Sequence, residues 1–313
     1  MLTKLTDMRD VVLLSVACIA GAMLTPVFPF VGIPLCAASL GGLVYRERSM
    51  AAALVAIMAT VVGGWLRPGD MVAVGLAVLG ILSAAQRLRR ADVYQVGVWL
   101  GVVLGVGMAG AEYMTARLNG LTIREYMNEA ASQATVVLGN RAFSGMDVDA
   151  MTKTMIQFAP AVYVMLGFAV VVPTLYALVW SARRADAVIR PVPKLDRTDL
   201  SPHVLWPLVT AVLLMAAGRV WGGSDGVLMI MGLNLLLVVR VALLVQGLAL
   251  VAALLRAGGT GRVALVIGVV VALLVDAATW VVSMAGLLDF WINFRRLDRG
   301  TGSEGIEGPA EGL

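Results

Sequence analysis

An apolar stretch from residue 226 to residue 255 is long enough to cross a bilayer, yet it carries Arg240 in its middle. An arginine at that depth costs between about 2.5 and more than about 10 kcal/mol, so such residues usually face a protein interior and have a partner. The next apolar stretch contains Asp276. If both stretches are helices that fold back at the turn between Arg256 and Arg262, the helical rise places the two charges about 24 and 21 Å from that turn. The sequence therefore predicts an intramembrane pair of Arg240 and Asp276.

This pair has two interpretations that the sequence leaves open. A buried ion pair can lock two helices together, or it can form part of a route for a substrate or for protons. Two further polar side chains, Asn234 and Gln246, lie on the same stretch, one on each side of Arg240. Because each residue turns a helix by about 100°, residues at this spacing do not share one narrow face.

Apolar stretches fill most of the chain. Hydrophobic residues make up 60% of its 313 residues and charged residues 14%, and the mean hydropathy is +0.89. This composition is typical of a polytopic membrane protein. We therefore predict an all-α transmembrane helix bundle of about eight or nine spans, with the lipid bilayer as its partner. The lengths of the apolar blocks favour nine spans. The preference of basic residues for the cytoplasmic side favours an even number instead, because an even number places Arg295, Arg296 and Arg299 in the cytoplasm.

Basic residues also predict the orientation of the first six spans. They concentrate in the connectors that face the cytoplasm if the N-terminus is cytoplasmic, which predicts a multi-pass membrane protein with a cytoplasmic N-terminus. The isoelectric point near 9.3 has the same origin. We therefore expect no nucleic-acid partner.

Three regions are predicted along the chain. Residues 1–185 form a six-helix membrane unit, residues 186–297 form carboxy-terminal membrane helices with a hairpin and an interfacial segment, and residues 298–313 form a disordered tail rich in glycine and glutamate. Glycines within the fifth apolar block, Gly101 and Gly105 among them, predict close packing of helices. The apolar blocks are expected, in chain order, at 11–24, 33–44, 51–66, 71–85, 93–113, 159–180, 204–220, 226–255 and 263–291.

The segment 115–157 is polar and amphipathic, and we expect it outside the membrane. It either connects two spans or forms a lid over an external cavity. Two capping boxes predict surface helices over 123–138 and 147–158, and these boxes are Thr122 with Glu125 and Ser144 with Asp147.

Polar residues at the ends of several blocks predict an outward-facing cavity. We expect it between the third, fifth and sixth apolar blocks, beneath the segment 115–157, where it can hold a small polar ligand. The same residues are alternatively ordinary side chains at the membrane surface. The candidates are Arg67, Asp70, Glu112, Tyr113 and Gln157.

No recognisable catalytic, nucleotide-binding or metal-binding motif is present in the sequence. The only histidine, His203, lies at the start of an apolar block, where it is typical of a residue at the membrane surface. We therefore predict no catalytic residue, no metal site, no cofactor and no enzymatic activity. Two function classes remain: a small-molecule transporter or ligand-binding component, or a membrane scaffold or regulator whose basic connectors bind a protein partner or anionic lipid. A membrane enzyme acting on lipid carriers ranks last.

Two resemblances follow from the order of the blocks and from the ending. The first six blocks have a proline-containing break (Pro26, Pro29 and Pro34) and a short second helix through IPLCAASLGGLV. In this they resemble the substrate-binding membrane components of energy-coupling-factor transporters. Asn234, the pair Gln246-Gly247 and the ending GLLDFWINFRRL resemble the YybS-like family of bacterial integral membrane proteins of unknown function (domain of unknown function family 2232). That resemblance implies a multi-pass fold in a bacterial plasma (inner) membrane, without a known activity. The residues of the ending that carry it are Gly286, Asp289, Phe294 and Arg295.

Overall fold

The computed structural model describes residues 2–65, 67–91, 93–138, 148–189, 195, 199–200, 202–221 and 226–295. Within these residues the regular structure is helical and contains no strand, so the prediction of an all-α membrane bundle is confirmed. The α-helices are α1 (Leu2–Leu24), α2 (Pro29–Tyr45), α3 (Ser49–Gly63), α4 (Asp70–Arg87), α5 (Val93–Leu118), α6 (Ile123–Leu138), α7 (Val148–Arg184), α8 (Leu205–Trp221), α9 (Val227–Ala257), α10 (Arg262–Thr279) and α11 (Val281–Ile292).

Five helices in the described part of the chain are long and apolar enough to cross a membrane, by length and composition. They are α4, α5, α7, α9 and α10. The shorter apolar helices α2, α3, α8 and α11 have 17, 15, 17 and 12 residues. At about 1.5 Å per residue they are shorter than a hydrocarbon layer of about 30 Å.

The chain forms two compact units, and α8 and α9 each contribute to both. The first unit contains Met1–Val192 and Val209–Val238, and the second contains Pro193–Leu208 and Val239–Leu313. The predicted division into regions at residue 185 stays a prediction.

In the first unit, α2 packs against α1, α3, α4 and α7, while α5 packs against α4 and α7. Small residues let α5 and α7 approach to backbone contact, as the sequence predicted. A Cβ atom on Gly105 would lie 2.6 Å from the Cα of Val164, and one on Gly167 would meet the main chain of Gly101. The core between these helices is apolar and fully buried, with Leu40, Leu43, Ile81, Leu100 and Leu178 among its largest side chains.

The predicted surface helix over 123–138 is confirmed as α6. Its capping box is present, because the Thr122 N–H donates to Glu125 Oε2 at 2.8 Å and the Glu125 N–H donates to Thr122 Oγ1 at 3.3 Å. The Glu125 carboxylate also accepts a hydrogen bond from the Thr122 hydroxyl at 2.7 Å. The bonds that it accepts from the Thr122 main chain and hydroxyl, in that order of size, hold the pKa of Glu125 below its usual value. The predicted capping box at Ser144 and Asp147 and the predicted tail over 298–313 lie outside the described residues.

The prediction of a separate surface helix over 147–158 is wrong. The structure joins it to the sixth apolar block as the single helix α7, which continues through Pro160 and Pro173. A proline removes a backbone donor and usually breaks or kinks a helix. At Pro160 the side-chain amide of Asn234 contacts the helix backbone, as described below.

The last apolar block, predicted as one unit over 263–291, is two helices. Trp280 lies in the left-handed region, with φ of 63°, and separates α10 from α11. This conformation is costly for a bulky residue and persists only where surrounding contacts hold it. Two such contacts are made by Arg240, whose guanidinium lies over the Trp280 ring, and by Asp276, whose main-chain oxygen accepts from the Trp280 N–H.

The second helix also differs slightly from its prediction, because it starts at Pro29 rather than residue 33, with proline in its first turn.

Candidate functional site

A cavity of about 170 Å³ lies in the first unit, where the break between α1 and α2 meets α4, α5 and α7. The prediction placed it beside the third apolar block, but α4 rather than α3 lines it. The reason is that α4 begins beside the end of α5, which brings Gly69 against the main chain of Ala111. Most of its wall is apolar, and this part includes Pro26, Pro29, Ile33, Val74, Leu104, Met108 and Leu166.

Two carboxylates line this cavity. Asp70 is the first residue of α4 and is only 9% exposed. Its Oδ2 atom is buried and has no hydrogen-bond partner among the described residues. Glu112 reaches the cavity from α5, and Tyr163 reaches it from α7. The polar groups therefore converge from three helices on one small space.

Helix α6 is tied to this cavity by Tyr126. The Tyr126 hydroxyl donates a hydrogen bond to the Glu112 carboxylate. Burial and this neighbouring carboxylate raise the pKa of Tyr126 to about 12. Tyr126 therefore stays protonated and remains a donor to Glu112 throughout the physiological pH range.

The structure brings together some of the five residues that the sequence proposed for the cavity. Asp70 and Glu112 line it, and Arg67 lies on the exposed turn before α4, where its charge acts on Asp70 and Tyr126. The other two lie elsewhere. Tyr113 is half-exposed and accepts a hydrogen bond from Arg117 Nε at 3.1 Å, and Gln157 uses its main-chain oxygen to contact Asn234.

Sequence reasoning missed Tyr126 and Tyr163. Each lies about one turn after the start of a predicted helix, at the end of that helix that faces the proposed cavity. This position was the only sequence feature that could have identified them. Their convergence on Glu112 depends on how α5, α6 and α7 pack, which a hydropathy pattern does not contain.

Asn234, on α9, contacts the proline-containing part of α7. Its Oδ1 atom accepts from the Ala161 N–H at 2.9 Å, and its Nδ2 donates to the carbonyl oxygen of Gln157 at 2.7 Å. A regular helix pairs these two backbone groups with each other. Pro160 lies between them in the chain. The side-chain amide of Asn234 therefore provides a hydrogen-bond partner for each of these two groups beside the proline.

Arg240 and Asp276 meet in the second unit. Arg240 Nη2 lies 3.2 Å from Asp276 Oδ2 and donates to the main-chain oxygen of Asp276 at 2.7 Å. Its guanidinium also lies over the ring of Trp280, 4.1 Å from the ring centroid. Asp276 in turn accepts from the Ser283 N–H at 2.7 Å and from the Ser283 hydroxyl at 2.8 Å. The pair thus holds the break between α10 and α11 as well as joining α9 to α10.

A second buried polar group, the carboxy-terminal cluster, consists of Asp199, Gln246, Asp289 and Arg295. Gln246 Nε2 donates to Asp199 Oδ1 at 2.8 Å and to Asp289 Oδ2 at 3.0 Å. Arg295 Nη2 lies 2.7 Å from Asp289 Oδ2 and 3.3 Å from Asp199 Oδ1. Asp289 and the side chain of Arg295 are almost completely buried.

The family-like ending therefore has a structural role. Asp289 and Arg295 belong to the carboxy-terminal cluster, and Gly286 brings α11 to backbone contact with α9 at Leu243 and Gly247. Phe294 is half-exposed. These residues pack the end of the chain, and none of them lines the cavity between α4, α5 and α7.

Among the described residues, no group of three or more His, Cys, Asp or Glu side chains is arranged to hold a metal ion. A family model described as a predicted membrane protein (DUF2232) matches residues 12–290. No curated protein and no solved structure matches the chain.

Proposed function

Since the chain belongs to the DUF2232 family of predicted membrane proteins, we propose that it binds a small molecule in the cavity of its first unit, as a transporter or as the ligand-binding component of one. The observation that carries the proposal is the convergence of Asp70, Glu112 and Tyr163 on a cavity whose remaining wall is apolar apart from Thr25. Small-molecule sites are typically concave and apolar, with a few polar groups that fix the ligand. The proposal assigns binding without a chemical reaction.

The positions of the arginines support a cavity that opens away from the cytoplasm. Arg89 lies 5.7 Å from the ring centroid of Tyr45, and Arg46 and Arg89 line the same groove beside the end of α7. These residues are at the ends of α2 and α4 opposite to the cavity. Because basic connectors favour the cytoplasmic side, we place the N-terminus in the cytoplasm of a bacterial cell and the cavity at the outer face of its plasma membrane.

The proposal is tested by recovering the bound molecule. The protein is purified in lipid nanodiscs and denatured, and the released small molecules are identified by mass spectrometry. The variant Ala73→Phe places a ring in the cavity wall, whereas Ala53→Phe adds the same ring on the exposed face of α3 as a matched control. We expect a molecule that the natural protein and the control release and that Ala73→Phe lacks.

Equal recovery from all three proteins would contradict the proposal. A cavity that is empty in the natural protein, together with a reproducible protein partner, would instead support the alternative of a membrane scaffold or regulator.

A further inference from the structure

We infer that the cavity takes a small organic cation, a protonated amine with an apolar body about the size of a benzene ring. The inference rests on the proposed binding function and adds the charge and chemical class of the ligand. It depends on two observations, the balance of charge at the cavity and the unsatisfied oxygen of Asp70.

The charges around the cavity leave an excess of negative charge. Asp70 and Glu112 line it, while the nearby cation, Arg67, lies on an exposed turn outside the lining. The other titratable side chains at the cavity are phenols, Tyr163 in its wall and Tyr126 hydrogen-bonded to Glu112. An anion would face two carboxylates, whereas a cation would be attracted by both.

One oxygen of the Asp70 carboxylate lacks a partner in the described part of the protein. This oxygen, Oδ2, is buried, and the side chain borders the cavity. A buried carboxylate oxygen is costly unless it accepts a hydrogen bond or pairs with a cation. An ammonium group supplies both, because it carries a positive charge and N–H donors.

The rest of the cavity favours an apolar body on that cation. Pro29, Ile33, Leu104 and Leu166 contribute hydrocarbon surface, and Tyr163 contributes an aromatic ring. The volume of about 170 Å³ is close to that of an apolar cavity of about 150 Å³ known to hold benzene. Aromatic rings also attract ammonium groups through their faces.

The test compares three probes of the same shape and different charge. Benzylammonium, benzyl alcohol and benzoate are titrated into the natural protein in nanodiscs, and their affinities are measured by calorimetry. We expect benzylammonium to bind at least about 10-fold more tightly than either of the others. We expect Asp70→Asn and Glu112→Gln to weaken it by about 10- to 100-fold, because each removes a charged hydrogen-bond acceptor.

The matched control is Glu129→Gln, which removes a carboxylate from the exposed surface of α6 and should leave benzylammonium binding unchanged. The inference is overturned if benzoate or benzyl alcohol binds as tightly as benzylammonium. It is also overturned if both cavity variants bind benzylammonium like the natural protein, or if the natural protein shows no binding up to about 10 mM.

Failure of this inference can be told apart from failure of the proposed function. A neutral or anionic molecule that is recovered from the natural protein and lost in Ala73→Phe overturns the cation and leaves the binding function standing. Equal recovery from the natural protein, Ala73→Phe and Ala53→Phe contradicts the binding function itself.

Discussion

At the scale of single residues, Asp276 does more than neutralise Arg240. Its two carboxylate oxygens accept hydrogen bonds from the main chain and the hydroxyl of Ser283, and its main-chain oxygen accepts from Arg240. The N–H of Ser283 lies in the first turn of α11, where a helix has backbone donors without intrahelical partners. Swapping the two side chains therefore cannot reproduce their contacts, because an arginine at position 276 has no acceptor for Ser283.

This asymmetry predicts the outcome of charge reversal. We expect Arg240→Asp and Asp276→Arg each to lower the free energy of unfolding by at least about 3 kcal/mol, the usual cost of breaking a buried ion pair. The double variant should recover only part of this loss, because an arginine at position 276 cannot accept the hydrogen bonds from Ser283. Thermal unfolding in mild detergent measures the three variants against the natural protein.

The control for charge reversal is the exposed pair of Arg46 and Asp10, at 2.8 Å with side chains 37% and 50% exposed. Exposed pairs contribute about 1 kcal/mol or less, so reversing either or both of these charges should change stability little. Complete recovery by the double variant at 240 and 276 would show that the ion pair alone matters at this position.

At the scale of elements, α7 shows how one helix depends on another. It contains two interior prolines, and Asn234 from α9 contacts the backbone on both sides of Pro160. The amide thus stabilises a long helix where its own hydrogen bonding is disturbed. The sequence identified Asn234 as a polar residue within the membrane, but its partner groups are backbone atoms, which no pattern of side chains reveals.

Removing this amide should therefore be costly only while the proline is present. We expect Asn234→Leu to lower stability by about 1–3 kcal/mol for each backbone group that loses its partner. Adding Pro160→Ala should restore most of the loss, because the Ala161 N–H can then bond the Gln157 carbonyl as in a regular helix. Thermal unfolding of the two variants measures the recovery.

Pro173→Ala is the matched control for this rescue. It also removes a proline from the interior of α7, but Asn234 does not contact its neighbours. Rescue of Asn234→Leu by Pro173→Ala to the same extent would mean that straightening α7 anywhere is sufficient, and that the amide has no local role.

At the scale of the whole molecule, the break at Trp280 ends α10 and makes α11 a separate short helix. Helix α11 has 12 residues, or about 18 Å at the usual helical rise, which is too short to cross the hydrocarbon layer. Arg295 reaches Asp199 in the segment before α8. The end of α11 and the residues just before α8 therefore lie at the same end of the second unit, and the positive-inside rule predicts that this end faces the cytoplasm.

Labelling from one side of the membrane tests this topology. We expect Asn293→Cys and His203→Cys to react with a membrane-impermeant maleimide from the same side. A marker protein of known sidedness in the same vesicles is the control for vesicle orientation. The native Cys18 and Cys36 are buried and should give no background. Labelling of positions 293 and 203 from opposite sides would contradict the contact between Arg295 and Asp199.

The sequence by itself determined the class of protein, the position of α6 with its capping box and the matching depths of Arg240 and Asp276. These features depend on the length of apolar stretches, on local hydrogen bonding and on a constant helical rise, all of which are properties of neighbouring residues. The resemblance to a membrane-protein family also came from a local motif, and the family model confirms it.

Apart from the pair of Arg240 and Asp276, only the tertiary structure decided which polar groups meet. It continued α7 through Pro160, divided the last apolar block at Trp280, and joined Gln246 to Asp199, Asp289 and Arg295. It also assembled the cavity from Asp70, Glu112 and Tyr163, which are on three different helices. The physical reason is that a buried polar group must find a partner, and the partner is chosen by the packing of segments that are far apart in the chain.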